Sequence, residues 1–259
     1  MSVENYWDRY ATEAVTKIGS VQDSIDKGFC WTQYDYHGPA EELLCQPESA
    51  LELGCGSGNE VAYLARKGIA ATGIDLSPVQ IRYAEKRWGD IEGARFHLRE
   101  AVDFLTTTEE TYDAIYSVWG AFWFTDPRRL LPAIRTRLNP GGVLVFSQAP
   151  AVDGCYGAQG MYGNGFTGKV LPVQRWAYSE EMWHGILMNY GFLETEARVL
   201  RSARPREPGH ADRSGPGAVA GTASACRPPG ASGRQGTRSS STPGCPAGEA
   251  RPRSSPSLG

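Results

Sequence analysis

The stretch LELGCGSGNE, residues 51–60, places a glycine-rich turn between a short apolar run and the start of a helix. Residues 50–53 predict a buried parallel strand, and residues 54–58 predict a turn whose missing side chains let the backbone approach a ligand. A helix is expected from Asn59 onward. A strand, a glycine turn and a helix in this order predict a site for a nucleoside-bearing cofactor.

The spacing of the glycines distinguishes between cofactors. A dinucleotide fingerprint has the pattern G-x-G-x-x-G, in which the third glycine allows close helix packing and the pyrophosphate rests on the helix N-terminus. Here the glycines are Gly54, Gly56 and Gly58, and Asn59 stands in the place of that third glycine. Glu52 fits badly beside a pyrophosphate, but it suits a ligand with a positive amino group, such as S-adenosylmethionine (SAM).

The next segment predicts a second strand that ends near Asp75. An acid at this point can hold two ribose hydroxyls in a doubly wound fold. Ser77 is predicted to cap the following helix, with Pro78 at its first position and Gln80 completing a capping box. The apolar Leu76 is expected to face the adenine.

Three more strands are predicted further along the chain. Residues 94–98 form the third strand and lead to Glu100 and Ala101, which are placed to meet the adenine edge. Residues 112–118 form the fourth strand, and residues 143–147 form the fifth after an Asn-Pro-Gly-Gly turn. Strands that alternate with helices predict a parallel sheet covered on both faces.

These motifs together resemble the class I SAM-dependent methyltransferases over roughly residues 40 to 200. The resemblance implies SAM as the cofactor and a Rossmann-like, doubly wound, mostly parallel sheet in a three-layer α/β sandwich. It assigns the methionine end to the glycine loop and its acid, the ribose to the acid after strand two, and the adenine to the pair after strand three. The implied cofactor-binding residues are Glu52, Gly54, Cys55, Gly56, Gly58, Asp75, Leu76, Glu100 and Ala101, with Ser117 as a further contact. The family more often has Asp at the position of Glu100, whose longer arm can shift that contact.

The composition changes sharply near residue 202. Residues 203–259 contain ten glycines, nine prolines, nine serines and eight arginines, and they lack aromatic residues. Such a segment cannot bury enough apolar surface to offset its chain entropy, so we expect a disordered tail. The family usually ends on a seventh, antiparallel strand, and no alternating apolar run follows Arg201, so that strand is expected to be missing. The tail is either out-of-frame translation or a genuine linker or basic arm.

We therefore divide the chain into three parts. Residues 1–48 are expected to form cap helices over the cofactor cleft, and residues 49–202 the SAM-binding core. A lid insert is expected at about residues 149–178, because a long connection rich in Gly and Tyr follows strand five.

The acceptor is expected at the carboxyl ends of strands one and four, where the strand order reverses. The segment SVWGAFWFTDP, residues 117–127, places an aromatic cluster there. Trp119, Phe122, Trp123 and Phe124 are predicted to form the acceptor wall; the alternative is that they pack under the following helix. Tyr156 in the insert is expected to contact the acceptor.

Two residues are candidates for catalysis. His37 lies before the first strand, and its near-neutral pKa in solution suits proton removal from a phenol or amine. Tyr34 is placed to orient an acceptor hydroxyl. The alternative for His37 is a hydrogen bond to backbone at a helix start, and an ionised or amine acceptor needs no base.

Charge and cysteine spacing exclude several classes of function. The tail carries a charge of +5, which leaves −8 on residues 1–202 and disfavours nucleic acid as a partner. The six cysteines show no metal-ligand spacing, so we expect reduced thiols and no metal site. No signal peptide or membrane-spanning run is visible, which predicts a cytoplasmic protein without a membrane partner.

The sequence thus predicts an enzyme that transfers a methyl group from SAM to O, N or C of a small-molecule metabolite or natural product. A catalytically impaired SAM-binding protein is one alternative, and an NAD-dependent oxidoreductase is another. The oligomeric state and the acceptor are left open.

Overall fold

The structure is a computed structural model that describes residues 2–15, 28–32, 34, 37–162, 170–200 and 218–225. Nine strands lie in these ranges, seven of them in one sheet and two in a separate hairpin. The strands are β1 (Ser49–Leu53), β2 (Ala70–Asp75), β3 (Ala94–Leu98), β4 (Tyr112–Val118), β5 (Leu138–Gln148), β6 (Gly157–Tyr162), β7 (Val170–Ala177), β8 (Phe192–Leu200) and β9 (Ala218–Ala225).

Helices connect the strands of the main sheet. They are α1 (Val3–Val15), α2 (Asn59–Arg66), α3 (Pro78–Trp88), α4 (Ala101–Thr107), the single turn α5 (Ala121–Phe124), α6 (Pro127–Arg137) and α7 (Glu180–Asn189), and a short 3-10 helix spans Glu41–Leu44. The sheet has the order β3-β2-β1-β4-β5-β9-β8, and β3, β2, β1, β4 and β5 pair in parallel. The predicted doubly wound α/β fold is therefore confirmed.

Each face of the sheet is covered by its own apolar cluster. Leu51 and Ile115 face α4, α6 and α7, whereas Ala50 and Tyr116 face α2 and α3. Successive side chains of a strand point to opposite faces, so neighbouring apolar residues supply both clusters. This burial on both faces explains why the strands are near-continuous apolar runs, and it makes the molecule a three-layer sandwich.

The expectation that the last antiparallel strand is missing was wrong. β9 lies between β5 and β8 and pairs antiparallel with both. Its sequence, AVAGTASA, is built from small residues and lacks the alternating large apolar side chains by which strands are usually recognised. Backbone hydrogen bonds on both edges hold such a strand in place, and they leave no apolar period in the sequence. Most of the predicted disordered tail lies outside the described residues.

The predicted insert contains a β-hairpin. β6 and β7 pair antiparallel over most of their length. β7 packs against α1 and α5, beside the carboxyl ends of the parallel strands. Residues 163–169 of the expected lid lie outside the described residues.

The structure also bears on the expected cysteine pairing and on membrane-spanning helices. Cys55 and Cys155 are free thiols as expected, but Cys45 is disulfide-bonded, so the expectation that every thiol is reduced was wrong. Cysteine spacing alone does not reveal which residues pair. Within the described ranges, no helix is long and apolar enough to cross a membrane.

Candidate active site

A cavity of about 1150 Å³ opens at the carboxyl ends of β1 and β4. The order of strands reverses between these two strands, which is where ligands bind in open α/β sheets. Pockets for drug-sized ligands measure roughly 300 to 1000 Å³, so this cavity has room for a cofactor and a second molecule. Its cofactor side is lined by the glycine loop and the ends of β2 and β3; its acceptor side is lined by α1, α5, the start of α6 and β7.

The glycine loop lies against a second loop that contains Gly120. A Cβ on Gly54 would lie 2.4 Å from the backbone nitrogen of Ala121, and one on Gly120 would lie 2.5 Å from the carbonyl oxygen of Leu53. Gly54 also has φ +79°, a conformation that side chains disfavour. The two loops can therefore touch at this point only through glycine.

Gly58 has a different role from the first two glycines. It precedes α2 with φ +75°, and a Cβ there would lie 2.5 Å from the ring of Phe96 and 3.0 Å from Ala84. Gly58 does not line the cavity. It therefore permits close packing of α2 against its neighbours, the role that a dinucleotide fingerprint gives to its third glycine.

The carboxylate of Asp75 is fixed by two backbone donors. Gly56 N–H donates to Oδ2 at 2.9 Å, and Ser77 N–H donates to Oδ1 at 2.8 Å. Each carboxylate oxygen has a second lone pair, so Asp75 can still accept from two further donors at the cavity wall. This capacity fits the two hydroxyls of a ribose.

Ser77 links this acid to the N-terminal helix. Its Oγ accepts from Gln80 N–H and donates to Oδ1 of Asp8 in α1, at 2.6 Å. The predicted cap of α3 is therefore present, but the capping box is not closed, since Ser77 N–H donates to Asp75. The Oε1 atom of Gln80 is buried without a hydrogen bond, and Gln80 lines the cavity.

Three carboxyl groups meet on the cofactor side. Glu52, Glu60 and Asp75 all line the cavity, and Glu52 is only 1% exposed. Burial raises the pKa of Asp75, raises that of Glu52 well above its usual range and raises that of Glu60 to about 7. Glu60 and Asp75 add repulsion at Glu52, which accepts a long 3.4 Å hydrogen bond from the Tyr116 hydroxyl. Among the described residues no basic side chain forms an ion pair with the three acids, and such a cluster fits a cationic ligand such as SAM.

The raised pKa of Glu60 predicts how the free energy of unfolding changes with pH. Glu60 has a pKa of about 7 in the folded protein and 4.5 ordinarily, so the folded state keeps a proton that the unfolded state loses between these values. The stabilising contribution is complete below pH 4.5 and is lost as the pH rises through 7. We expect the free energy of unfolding of the wild type to fall relative to Glu60→Gln between pH 5 and pH 8, measured by urea denaturation. A difference that stays constant across this range would contradict the prediction.

The predicted adenine-side residues line the cavity next to the cluster. Leu76, Glu100 and Ala101 all do so. Glu100 is also the N-cap of α4, and its carboxylate accepts from Asp103 N–H at 2.8 Å. One oxygen of Glu100 is thus already engaged, whereas the other remains for a ligand.

Cys55 lines the cavity through a turn that is tied to β2. The N–H groups of Gly54 and Cys55 both donate to the carbonyl oxygen of Ile74 at 2.9 Å. Burial raises the pKa of the Cys55 thiol well above its usual value, so the thiol stays protonated and is not a nucleophile.

Trp119 and Phe124 are the members of the predicted acceptor wall that line the cavity. Trp119 has an unusual backbone. Its φ is +50°, which is unusual for a bulky residue. Its backbone N–H donates to Ser147 O at 2.9 Å and its indole N–H to Trp31 O at 3.1 Å. These bonds hold the strained residue at the point where the two sides of the cavity meet.

The other predicted acceptor residues do not line the cavity. Phe122 is 1% exposed and stacks on Phe146, with ring centroids 3.9 Å apart, so it belongs to the core. Trp123 packs edge-on against Trp119 behind the wall. Tyr156 is 39% exposed and lies outside the cavity. Phe122 also packs against Trp183 of α7, with ring centroids 5.4 Å apart.

Ser117, His37 and Tyr34 are also outside the cavity. The hydroxyl of Ser117 donates to Leu53 O at 2.7 Å and accepts from Phe122 N–H at 3.2 Å, so it joins β1, β4 and α5. The rings of Tyr34 and His37 pack edge-to-face, 6.1 Å apart. Neither side chain is placed on the cavity wall as a base.

Several lining residues were not identified from the sequence. They include Glu60, Gln80, Arg99, Arg129, Leu171, Val173 and Trp176. Glu60 could have been predicted from the sequence, because it lies in the first helical turn after the glycine loop and that turn faces the ligand. The β7 residues reach the cavity through a hairpin, and no local pattern marks such a distant contact.

The fold is a Rossmann-like domain of the kind that binds a nucleoside cofactor. It has a parallel sheet, an antiparallel strand β9 between β5 and β8, and a cavity at the switch point. Residues 51–146 match the family described as a methyltransferase domain. These residues are therefore similar to a methyltransferase domain, in agreement with the resemblance to class I SAM-dependent methyltransferases, and SAM is the cofactor of that class.

Curated relatives match over the same region. A trans-aconitate 2-methyltransferase from Methylobacterium radiotolerans is 35% identical over 113 residues, which are 41% of this chain and 42% of that protein. A fatty-acid O-methyltransferase from Mycolicibacterium smegmatis is 29% identical over 116 residues, 44% of this chain and 42% of that protein. The matched region thus spans less than half the length of these two relatives.

Solved structures share the fold over a longer range. A complex of DhpI with S-adenosylhomocysteine (SAH) superposes with a TM-score of 0.55 at 18% identity, and the match covers 86% of this chain and 95% of that one. At this identity the likeness establishes the fold. It extends beyond the region that matches the methyltransferase family.

Proposed function

We propose that this protein transfers a methyl group from SAM to an O, N or C atom of a small-molecule acceptor. The observation that carries the proposal is a single cavity with two unlike sides. A glycine loop and buried acids form one side, and an aromatic and apolar wall forms the other. The relatives named for trans-aconitate and fatty acids support a small molecule as the acceptor.

The residues of the cofactor side would hold SAM by charge and by backbone contacts. Bound SAM supplies an electrophilic methyl group on a positively charged sulfonium. Glu52 and Glu60 favour a cation, Asp75 offers free lone pairs to a ribose, and Gly54 and Gly56 let the backbone approach closely. A ligand that loses its positive charge is held less well by these acids, which favours release of the product.

The residues of the acceptor side would align the acceptor and exclude water. Trp7 of α1 packs against Phe124 with ring centroids 4.7 Å apart, and Trp176 of β7 lines the same side. Alignment of the reacting atoms and exclusion of water are the main tasks in a methyl displacement. We propose that α1 and the hairpin form the cover over this side, with the Asp8–Ser77 hydrogen bond holding α1 in place.

Calorimetry and turnover test the proposal. We expect SAH to bind and NADH not to bind, and labelled SAM to be consumed with at least one member of a panel of phenols, amines and carboxylic acids. Binding of NADH instead of SAH would favour a dehydrogenase. Binding of SAH without turnover on the whole panel would favour a SAM-binding protein without activity.

A further inference from the structure

The acceptor side of the cavity contains a cationic side chain. Arg129 lies in the first turn of α6 and lines the cavity. The same cavity is also lined by Phe124, Leu171, Val173 and Trp176, which are apolar or aromatic. A guanidinium beside an apolar wall can bind an anionic group on an apolar molecule.

The acid nearest to Arg129 in sequence is already paired with another arginine. Asp126 caps α6, and its carboxylate accepts from Nε of Arg128 at 3.1 Å and from Nη2 at 2.7 Å. Arg129 helps to lower the pKa of Asp126 through its charge, but it forms no salt bridge within 4 Å to any described residue. Arg99, on the cofactor side, differs because it pairs with Asp103 at 2.7 Å. Arg129 is thus the lining arginine whose charge is left for a ligand.

The charges around the cavity make this arginine important for an anion. Glu4 on α1, and Asp75 and Glu100 on the cofactor side, line the cavity and would repel an anionic acceptor. An anion can therefore enter only if its charge is compensated on the acceptor side, and Arg129 is placed to do this.

We propose that the acceptor is a carboxylic acid with an apolar or aromatic body, bound as its carboxylate by Arg129 and methylated on a carboxylate oxygen. This inference rests on the proposed methyl transfer. The carboxylate oxygen forms the new bond to the methyl carbon, while the carbon–sulfur bond breaks and its electron pair stays on sulfur. The acid is already ionised at neutral pH, so no proton is removed and no base is needed.

The lining of the cavity agrees with a reaction that needs no base. No histidine is among its described lining residues, and its most buried acids lie on the cofactor side. A phenol or an ammonium acceptor would have to lose a proton first, which a carboxylate does not. The ester product is neutral, so it no longer pairs with Arg129.

The test compares matched acceptors and matched arginine variants. Octanoate, dodecanoate and cinnamate are assayed with labelled SAM beside the corresponding primary amides and alcohols, and the affinity for SAH is measured for every variant. Arg129→Gln removes the charge, and Arg129→Lys retains it. Arg95→Gln removes the same charge from an exposed position on β3, where Arg95 pairs with Glu110.

We expect methyl esters from the carboxylates and no products from the amides or alcohols. Arg129→Gln should raise KM for the carboxylate by about 10-fold to 100-fold, as for the loss of a charged hydrogen bond, with kcat and SAH affinity unchanged. Arg129→Lys should recover part of this loss, and Arg95→Gln should behave as the wild type.

Three results would overturn the inference. These are turnover of phenols or amines but not carboxylates, SAH binding without methylation of any carboxylate, and an unchanged KM in Arg129→Gln. The first and third leave the proposed methyl transfer standing. A protein that binds no SAH and consumes no SAM on any acceptor would instead refute the proposed function itself.

Discussion

Replacing Gly54 with alanine is expected to abolish SAH binding and to destabilise the fold by more than about 3 kcal/mol. The new Cβ would lie 2.4 Å from the nitrogen of Ala121, and it would add the cost of a left-handed conformation at φ +79°. The Ala121 nitrogen belongs to the main chain, and the new Cβ is attached rigidly to the main chain of residue 54, so neither atom can move away by a side-chain rotation. The two loops at the switch point must therefore separate. Calorimetry with SAH and urea denaturation measure the two effects.

Gly68→Ala is the matched control for this experiment. Gly68 follows α2 with φ +83°, and a Cβ there meets nothing within 4 Å. The control therefore carries the backbone cost of about 1 to 2 kcal/mol without a steric clash. We expect its SAH affinity to equal that of the wild type. If Gly54→Ala also bound SAH normally, the close contact of the two loops would not be needed for the site.

Replacing Asp75 with alanine is expected to weaken SAH binding by about 100-fold to 10,000-fold. Two hydrogen bonds from ligand hydroxyls to a carboxylate are worth about 3 to 6 kcal/mol together. The loss also removes the acceptor that holds the N–H groups of Gly56 and Ser77. Calorimetry with SAH gives the affinity, and circular dichroism shows whether the variant is folded.

Asp113→Ala separates a loss of binding from a general loss of stability. Asp113 also accepts from two backbone N–H groups, those of Glu48 and Ser49, but at the opposite end of the sheet from the cavity. Its replacement should lower the melting temperature and leave SAH affinity unchanged. A folded Asp75→Ala protein with the affinity of the wild type would refute the assignment of Asp75 to the ribose.

The features that the sequence predicted well are those fixed by local backbone chemistry. The glycine loop needs φ above zero and close approach at neighbouring positions, and the cap at Ser77 depends on adjacent residues. Asp75 could be placed because a strand end and a helix start bracket it within a few residues. Such constraints leave a pattern in the sequence wherever the fold requires them.

The features that the sequence did not predict depend on contacts between distant segments. Trp119 and Phe122 are three residues apart, but only Trp119 lines the cavity, and Phe122 stacks on Phe146 of β5. Composition cannot tell which of these two residues faces the ligand, because both side chains are large and aromatic. β9 was missed for a related reason, since its small residues carry no apolar period and its pairing depends on both neighbours.

The position of β9 has a consequence for how the chain folds as it is made. β9 is synthesised after β8, but it lies between β8 and β5 in the sheet. Until the ribosome has added Ala225, β8 has no partner strand, and the edge of β5 is open to other chains. We therefore expect the emerging protein to carry an unpaired edge for longer than a sheet assembled in chain order, which lengthens the time in which that edge can pair with other chains.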